Sequence, residues 1–161
     1  MYNIGEYIVY NKEVCLIKDI LKKYIDDNDY YILKPISDKS LNIKIPVNND
    51  SIRKIIDKKE AIELIESIPN IDSIEINDKN IENIYKQYIN SGDLKDLVKI
   101  IKTAYLRNED RIKNKRKIGE IDDQYFKKAE KLLYDELSIS LNKTFTDTKK
   151  YVINKVEELI K

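Results

Sequence analysis

The sequence predicts an α+β fold in which a strand-built N-terminal region precedes an all-helical C-terminal one. Three observations predict it. Up to about Asp57 the apolar residues fall in short alternating or continuous β-branched runs between polar turns, which is the strand signature. Beyond Asp57 they recur at three- and four-residue steps, the helical spacing. The length of 161 residues, 42% of them hydrophobic, allows one or two domains, each with a modest core.

Taken in order, the strands are expected at Ile4 to Tyr10, Glu13 to Ile20, Tyr30 to Leu33, Leu41 to Ile45 and Ile52 to Ile56. Their separators are polar turns: Asn11-Lys12, the acidic Asp26-Asp27-Asn28-Asp29, Ser37-Asp38-Lys39-Ser40 and Asn48-Asn49-Asp50. Pro35 and Pro46 fall at strand ends, where a missing backbone donor does least harm. A small antiparallel barrel or strongly bent sheet is the economical arrangement, because open edges invite pairing with other chains.

The helices follow. Asp57 is placed to cap a helix over Lys58 to Ile68, with Ala61, Ile62, Leu64, Ile65 and Ile68 on one face and Pro69 at its end. An acidic linker runs over residues 70–80. Helices are then expected over Ile81 to Ile89 and Leu94 to Leu106, with Ser91-Gly92-Asp93 stopping the first and capping the second. After a basic stretch, Asp122 or Asp123 can cap a helix to Leu141, and Thr144 or Thr146 one that ends at Ile160. The organisation is therefore residues 1–57 as a β-domain, 58–78 as connecting helix and linker, and 79–161 as a helical domain.

Composition narrows the chemistry. The chain has no His, which removes the commonest general base and the commonest zinc ligand. With three Gly it has no phosphate-cradling G-x-x-x-x-G-K or G-x-G-x-x-G loop. The acidic Asp26 to Asp29 run lacks the Gly and the downstream Glu of a calcium loop and reads as a solvated hairpin turn. Asp122-Asp123 and Glu157-Glu158 show no convergent partner and read as structural. Cys15, the one cysteine, sits in an apolar strand and reads as a small buried hydrophobe. Neither enzyme activity nor a cofactor or metal is expected. Met1 to Tyr10 holds charged and polar residues where a secretory leader needs an apolar run, and no window nears the roughly 18 apolar residues of a membrane span. A cytoplasmic monomer is expected.

Charge is segregated even though the net charge is only +1. Residues 1–60 carry eleven basic and ten acidic groups, residues 61–94 two and seven, and residues 95–161 seventeen and twelve. Arg107, Arg111, Lys113, Lys115, Arg116 and Lys117 crowd one stretch opposed by Glu109 and Asp110. Such a cluster either pairs with phosphates or is a solvated connector. No helix-turn-helix, zinc-finger or RNP-type pattern signals base reading.

At this point the residues carry a family likeness. Ile4-Gly5-Glu6-Tyr7-Ile8-Val9-Tyr10, Tyr30-Tyr31-Ile32-Leu33-Lys34, Leu41-Asn42-Ile43-Lys44-Ile45-Pro46-Val47, Ile52-Arg53 and Ser67-Ile68-Pro69 resemble the N-terminal domain of CarD-type bacterial transcription regulators, a domain shared with the transcription-repair coupling factor. The second half resembles the same family through Tyr88-Ile89-Asn90-Ser91-Gly92-Asp93, Leu97-Val98, Thr103-Ala104-Tyr105-Leu106-Arg107 and Ala129 to Leu137. The resemblance implies a Tudor-like small β-barrel that docks on the RNA polymerase β subunit. It also implies a helical domain that meets promoter DNA at the upstream edge of the melted bubble and changes the lifetime of the open complex without catalysing a reaction.

Carried over by position, the polymerase contacts implied are Lys23, Ile43 and Lys44, an edge strand and nearby cations suiting sheet extension and electrostatic steering. Lys79, Lys86, Lys115, Lys117, Lys127 and Lys128 remain as candidate phosphate contacts on DNA. The chain departs from the family pattern where many members wedge a Trp at the bubble edge. Trp is absent, and Ile74, Ile76, Asp78 and Lys79 stand there, with Asn80 and Asn83 where the family has basic residues and Asp123 at a later helix start. DNA contact is accordingly expected to be weak, salt-sensitive and sequence-tolerant, with polymerase doing the recruiting. The rival expectation is an adaptor on polymerase whose helical domain binds no DNA.

Overall fold

The computed structural model describes residues 1–77 and 79–160. It is α+β, with a five-stranded antiparallel sheet followed by helices, and it divides into two compact units at Asp57/Lys58.

The first unit contains β1 (Tyr7–Tyr10), β2 (Glu13–Ile25), β3 (Asn28–Pro35), β4 (Ile43–Pro46) and β5 (Ile52–Lys54), in the order β4-β3-β2-β1-β5. The sheet is open, with β4 and β5 at its ends. Asn11 (φ 49°) and Lys12 (φ 71°) join β1 to β2, and Asp26 (φ 50°) and Asp27 (φ 59°) join β2 to β3. Both are two-residue turns in the left-handed region, whose twist matches that of the flanking strands. The acidic run is thus half turn and half strand: Asn28 and Asp29 already belong to β3.

One face of the sheet makes the core, from Ile8, Cys15, Ile17, Tyr31, Leu33 and Ile45, with Tyr10, Ile20 and Ile43 packed against it. Strict alternation along β2 would turn Ile20 away from Ile17. A bulge at Lys18 prevents this: Ile17 pairs with Leu33 and Asp19 with Ile32, so Ile20 meets Tyr31 on the core side. β2 runs five residues beyond its expected end at Ile20.

The second unit contains α1 (Lys58–Ser67), a 3-10 turn (Ile68–Asn70), α2 (Ile81–Asn90), α3 (Leu94–Lys113), α4 (Glu120–Leu141) and α5 (Phe145–Ile160). Pro69 lies inside the 3-10 turn, so α1 stops at Ser67, before the expected Ile68. α1 packs against α4 and α5. Gly92 (φ 74°) turns the chain after α2, and the Asp93 carboxylate caps α3 by accepting from the Lys95 N–H at 2.9 Å. Thr144 Oγ1 caps α5 by accepting from the Asp147 N–H at 3.1 Å.

Two further expectations need correction. α3 does not end at Leu106 but continues to Lys113, so Arg107, Arg111 and Lys113 belong to a helix and only residues 114–119 connect it to α4. The cap of α4 is Gly119 rather than Asp122 or Asp123. The physical reason is Asp122 itself, which is drawn into the protein by partners on two other helices and cannot serve its own helix end. Among the described residues no helix is long and apolar enough to cross a membrane.

Candidate functional site

β4 pairs only with β3, through Tyr30↔Pro46, Tyr31↔Ile45, Ile32↔Lys44 and Leu33↔Ile43. Val47 donates its N–H to the Asp29 carbonyl at 3.0 Å, so by antiparallel alternation Ile43, Ile45 and Val47 bond to β3. Lys44 and Pro46 therefore turn their backbones to the open edge. Pro46 has no N–H to lose there, which is why the ladder tolerates it. The free edge offers one donor, at Lys44, and the carbonyls of Lys44 and Pro46.

The Lys44 ammonium donates to the Tyr24 hydroxyl at 3.3 Å and lies 5.2 Å from the Tyr24 ring centre. Tyr24 meets Tyr30 edge-on at 5.5 Å. Next to Tyr24, Lys23 adopts a left-handed backbone (φ 47°), and its N–H donates to the Asp29 carboxylate at 3.0 Å. Three residues of β2 bulge opposite one of β3 at this point. The Lys23 N–H, and after it the Lys22 ammonium at 3.3 Å, hold the Asp29 carboxyl below the usual carboxylate range. Tyr24 thus joins Lys44 on β4 to the bulged stretch of β2 that contains Lys23. Ile43 is half-buried on the core face. Tyr24 is a member of this surface that sequence reasoning missed, because only the irregular β2–β3 pairing brings it to Lys44.

The helical unit treats its basic residues unequally. Asp122, buried, accepts from the Tyr85 hydroxyl at 2.5 Å, from Arg107 Nε at 3.2 Å and from Arg111 Nη1 at 2.5 Å. Asn108 extends the network, its side-chain oxygen accepting from Arg111 at 2.6 Å and from the Gly119 N–H at 2.8 Å. A Cβ at position 119 would stand 2.5 Å from Arg111 Nη1, so the guanidinium packs closely over the Gly119 backbone and would have to shift to admit a side chain. Asp122 therefore does have convergent partners, and its role is to join α2, α3 and α4. Arg107 and Arg111, members of the candidate phosphate cluster, are committed to it. The signal available in the sequence was the Arg107/Arg111 pair, four apart on one helix face.

The six candidate DNA contacts differ in their local partners. Lys86 is 3.6 Å from Glu82, whose carboxylate also accepts from the Tyr125 hydroxyl at 3.3 Å, and Lys128 lies 6.0 Å from the Tyr125 ring centre. Lys86 and Lys128 are thereby gathered on one α2/α4 surface. Lys127 pairs with Asp123 at 2.9 Å. Lys115 and Lys117 are exposed in the α3–α4 connector, and Lys79 is exposed just before α2. At the expected wedge, Ile74 and Ile76 are half-buried, and the Ile74 N–H donates to Thr103 Oγ1 at 2.8 Å. Lys102, whose pKa burial lowers, ties the same segment to α3 by donating to the carbonyls of Ile68 and Ile71. Asp78 lies outside the described residues.

The cleft beside the α4 N-terminus has a volume of about 690 Å³ and is lined by Arg107, Arg111 and Arg116 together with Asp110, Glu120 and Asp122. Its lining carries three cations and three carboxylates. The chain matches no family model and no curated protein. Among the described residues no group of three His, Cys, Asp or Glu side chains could hold a metal ion. Cys15 is buried, and desolvation followed by the charge of Glu13 pushes its thiol up to about 11, which keeps it protonated and unreactive at neutral pH.

Proposed function

We propose that the chain is a noncatalytic, cytoplasmic transcription regulator of the CarD type. In this reading the sheet unit, a Tudor-like small β-domain, binds the RNA polymerase β subunit through the β4 edge, with Lys23, Ile43 and Lys44 as its contact residues. The helical unit then touches promoter DNA at the upstream edge of the bubble and alters the lifetime of the open complex. It acts as a monomer and needs no cofactor.

The observation that carries the reading is the exposure of Lys44 on an open edge strand, in a five-stranded unit followed by a helical one. An open edge can extend a partner's sheet by backbone hydrogen bonds, while Lys44 and Lys23 supply steering. Two weak contacts on one assembly reinforce each other through effective concentration, so DNA affinity need not be high. The test is the half-life of open promoter complexes with and without the chain. It should change with the intact chain and return to the polymerase-only value when Lys115 and Lys117 are both replaced by Glu. An unchanged half-life with the intact chain defeats the reading.

A second reading, an adaptor whose helical unit binds no DNA, draws on a specific observation. Arg107 and Arg111 are engaged by Asp122, and Lys86 and Lys127 by Glu82 and Asp123. An altered half-life that survives the Lys115/Lys117 double replacement supports this adaptor.

A further inference from the structure

The outer face of the sheet, turned away from the core of the first unit, is not the polar surface that an antiparallel sheet normally gives to water. Side chains alternate between faces along a strand, and residues directly opposite one another share a face. Leu16 lies opposite Tyr7 and Lys34, Ile32 opposite Asp19 and Lys44, and Tyr30 opposite Leu21. All of these fall on the outer face, because their strand neighbours Ile8, Cys15, Ile17, Tyr31, Leu33 and Ile45 make the core. Val9 and Val14, at one end of the outer face, are buried. Beyond them the face opens: Leu16, Leu21, Tyr30 and Ile32 are half-buried, Tyr7 is 38% exposed and Tyr24, edge-on to Tyr30, is 45% exposed. An apolar strip therefore crosses β2 and β3 where water-facing polar residues are the norm.

The charge on this face has a direction. Lys34 on β3 has no ion-pair partner among the described residues, and the Lys44 ammonium on β4 meets the Tyr24 hydroxyl and ring rather than a carboxylate. Asp19 stands on the β2 side, and its carboxylate is turned to its own backbone, accepting from the Ile20 N–H at 2.8 Å. The uncompensated charge beside the strip is thus positive and lies along β3 and β4.

We propose that the outer face of the sheet docks an amphipathic helix of a protein partner, with carboxylates on the flank of the helix that lies over Lys34 and Lys44. A helix laid on a sheet is a standard way to cover an apolar sheet face, and the apolar stripe of an amphipathic helix matches the strip from Leu16 to Tyr30. The two lysines set which flank must be acidic and give steering that weakens with salt. A single-stranded nucleic acid fits less well: the middle of the strip is Leu16, Leu21 and Ile32, whereas base stacking needs aromatic platforms. The inference does not rest on the β4 edge, where a strand would add in the plane of the sheet while the helix stacks on its face. The two sites share Lys44, so the test leaves Lys44 intact.

The test uses the full chain and a labelled helix-forming peptide with a leucine stripe flanked by glutamates, followed by fluorescence anisotropy. Saturable binding is expected, weakened about tenfold or more by Lys34→Glu and by Ile32→Thr, which keeps a β-branched residue in the strand. Lys34→Glu should melt as the parent does, so it reads the site even where Ile32→Thr lowers stability. The same peptide with lysines for glutamates should bind at least about tenfold more weakly, and a single-stranded oligonucleotide should not displace the acidic one. Absence of saturable binding, or equal binding by the parent and Lys34→Glu, overturns the proposal. So does displacement by the oligonucleotide, and so does a dimer of the chain in sedimentation that Lys34→Glu dissociates, which would assign the face to a second copy.

Discussion

At the scale of single residues, Asp122 decides more of the helical unit than any other charged group described. Its carboxylate is buried, and it gathers one hydroxyl and two guanidinium groups from two other helices. Breaking a buried ion pair from one side leaves the other side uncompensated, which costs more than the pair contributes when intact. The two arginine side chains are 24% and 26% exposed, so water screens part of that cost. Asp122→Ala should destabilise the protein by about 3 kcal/mol, read from urea denaturation. Tyr85→Phe should cost about 1 kcal/mol, because the carboxylate keeps its arginines. In the sequence Asp122 looks like an ordinary helix-start carboxylate. Its partners lie 37, 15 and 11 residues away, and no local pattern announces such a convergence.

At the scale of elements, the strands and helices were largely legible, because periods of two and of three to four residues reflect which faces are buried. The two-residue turns at Asn11-Lys12 and Asp26-Asp27 follow from polar residues that tolerate a positive φ. What periodicity could not show is where charged residues extend an element. α3 runs two turns past Leu106, over the stretch in which Arg107 and Arg111 meet Asp122, and β2 continues past the Lys18 bulge. Likewise the contact between Tyr24 and Lys44 depends on a second irregularity, where three residues face one. α3 ends with Lys115 in the left-handed region (φ 57°), the Lys115 N–H donating to Ile112 and the Arg116 N–H to Arg111. Glycine is the residue that adopts this geometry without strain. Lys115→Gly should therefore raise stability by up to about 1 kcal/mol in the same denaturation assay.

At the scale of the whole molecule, a net charge of +1 conceals a basic excess over residues 95–161, although several cations of that segment are paired locally. Arg107, Arg111, Lys127, Lys131 and Lys149 each meet a carboxylate within that segment. Stability should also depend on alkaline pH. Burial pushes the Cys15 thiol up to about 11 and the Tyr134 phenol up to about 12, and it raises Tyr85 as well, with the Asp122 hydrogen bond and charge adding to burial there. Each group loses its proton more readily in the unfolded chain, so its contribution is complete below the unfolded value and is lost as pH climbs toward the folded one. The denaturation midpoint should fall from about pH 9 to about pH 11, and Cys15→Ala should flatten the first part of that fall.

The central claim is that the β4 edge binds polymerase, and equilibrium binding of the intact chain and of Lys44→Glu to purified RNA polymerase tests it most directly. Lys44 is exposed, so the variant should melt as the parent does. The account predicts saturable binding of the parent, competed by the isolated β subunit, and at least about a tenfold loss in the variant. Equal affinity of the two proteins for polymerase, or no binding by either, would contradict it.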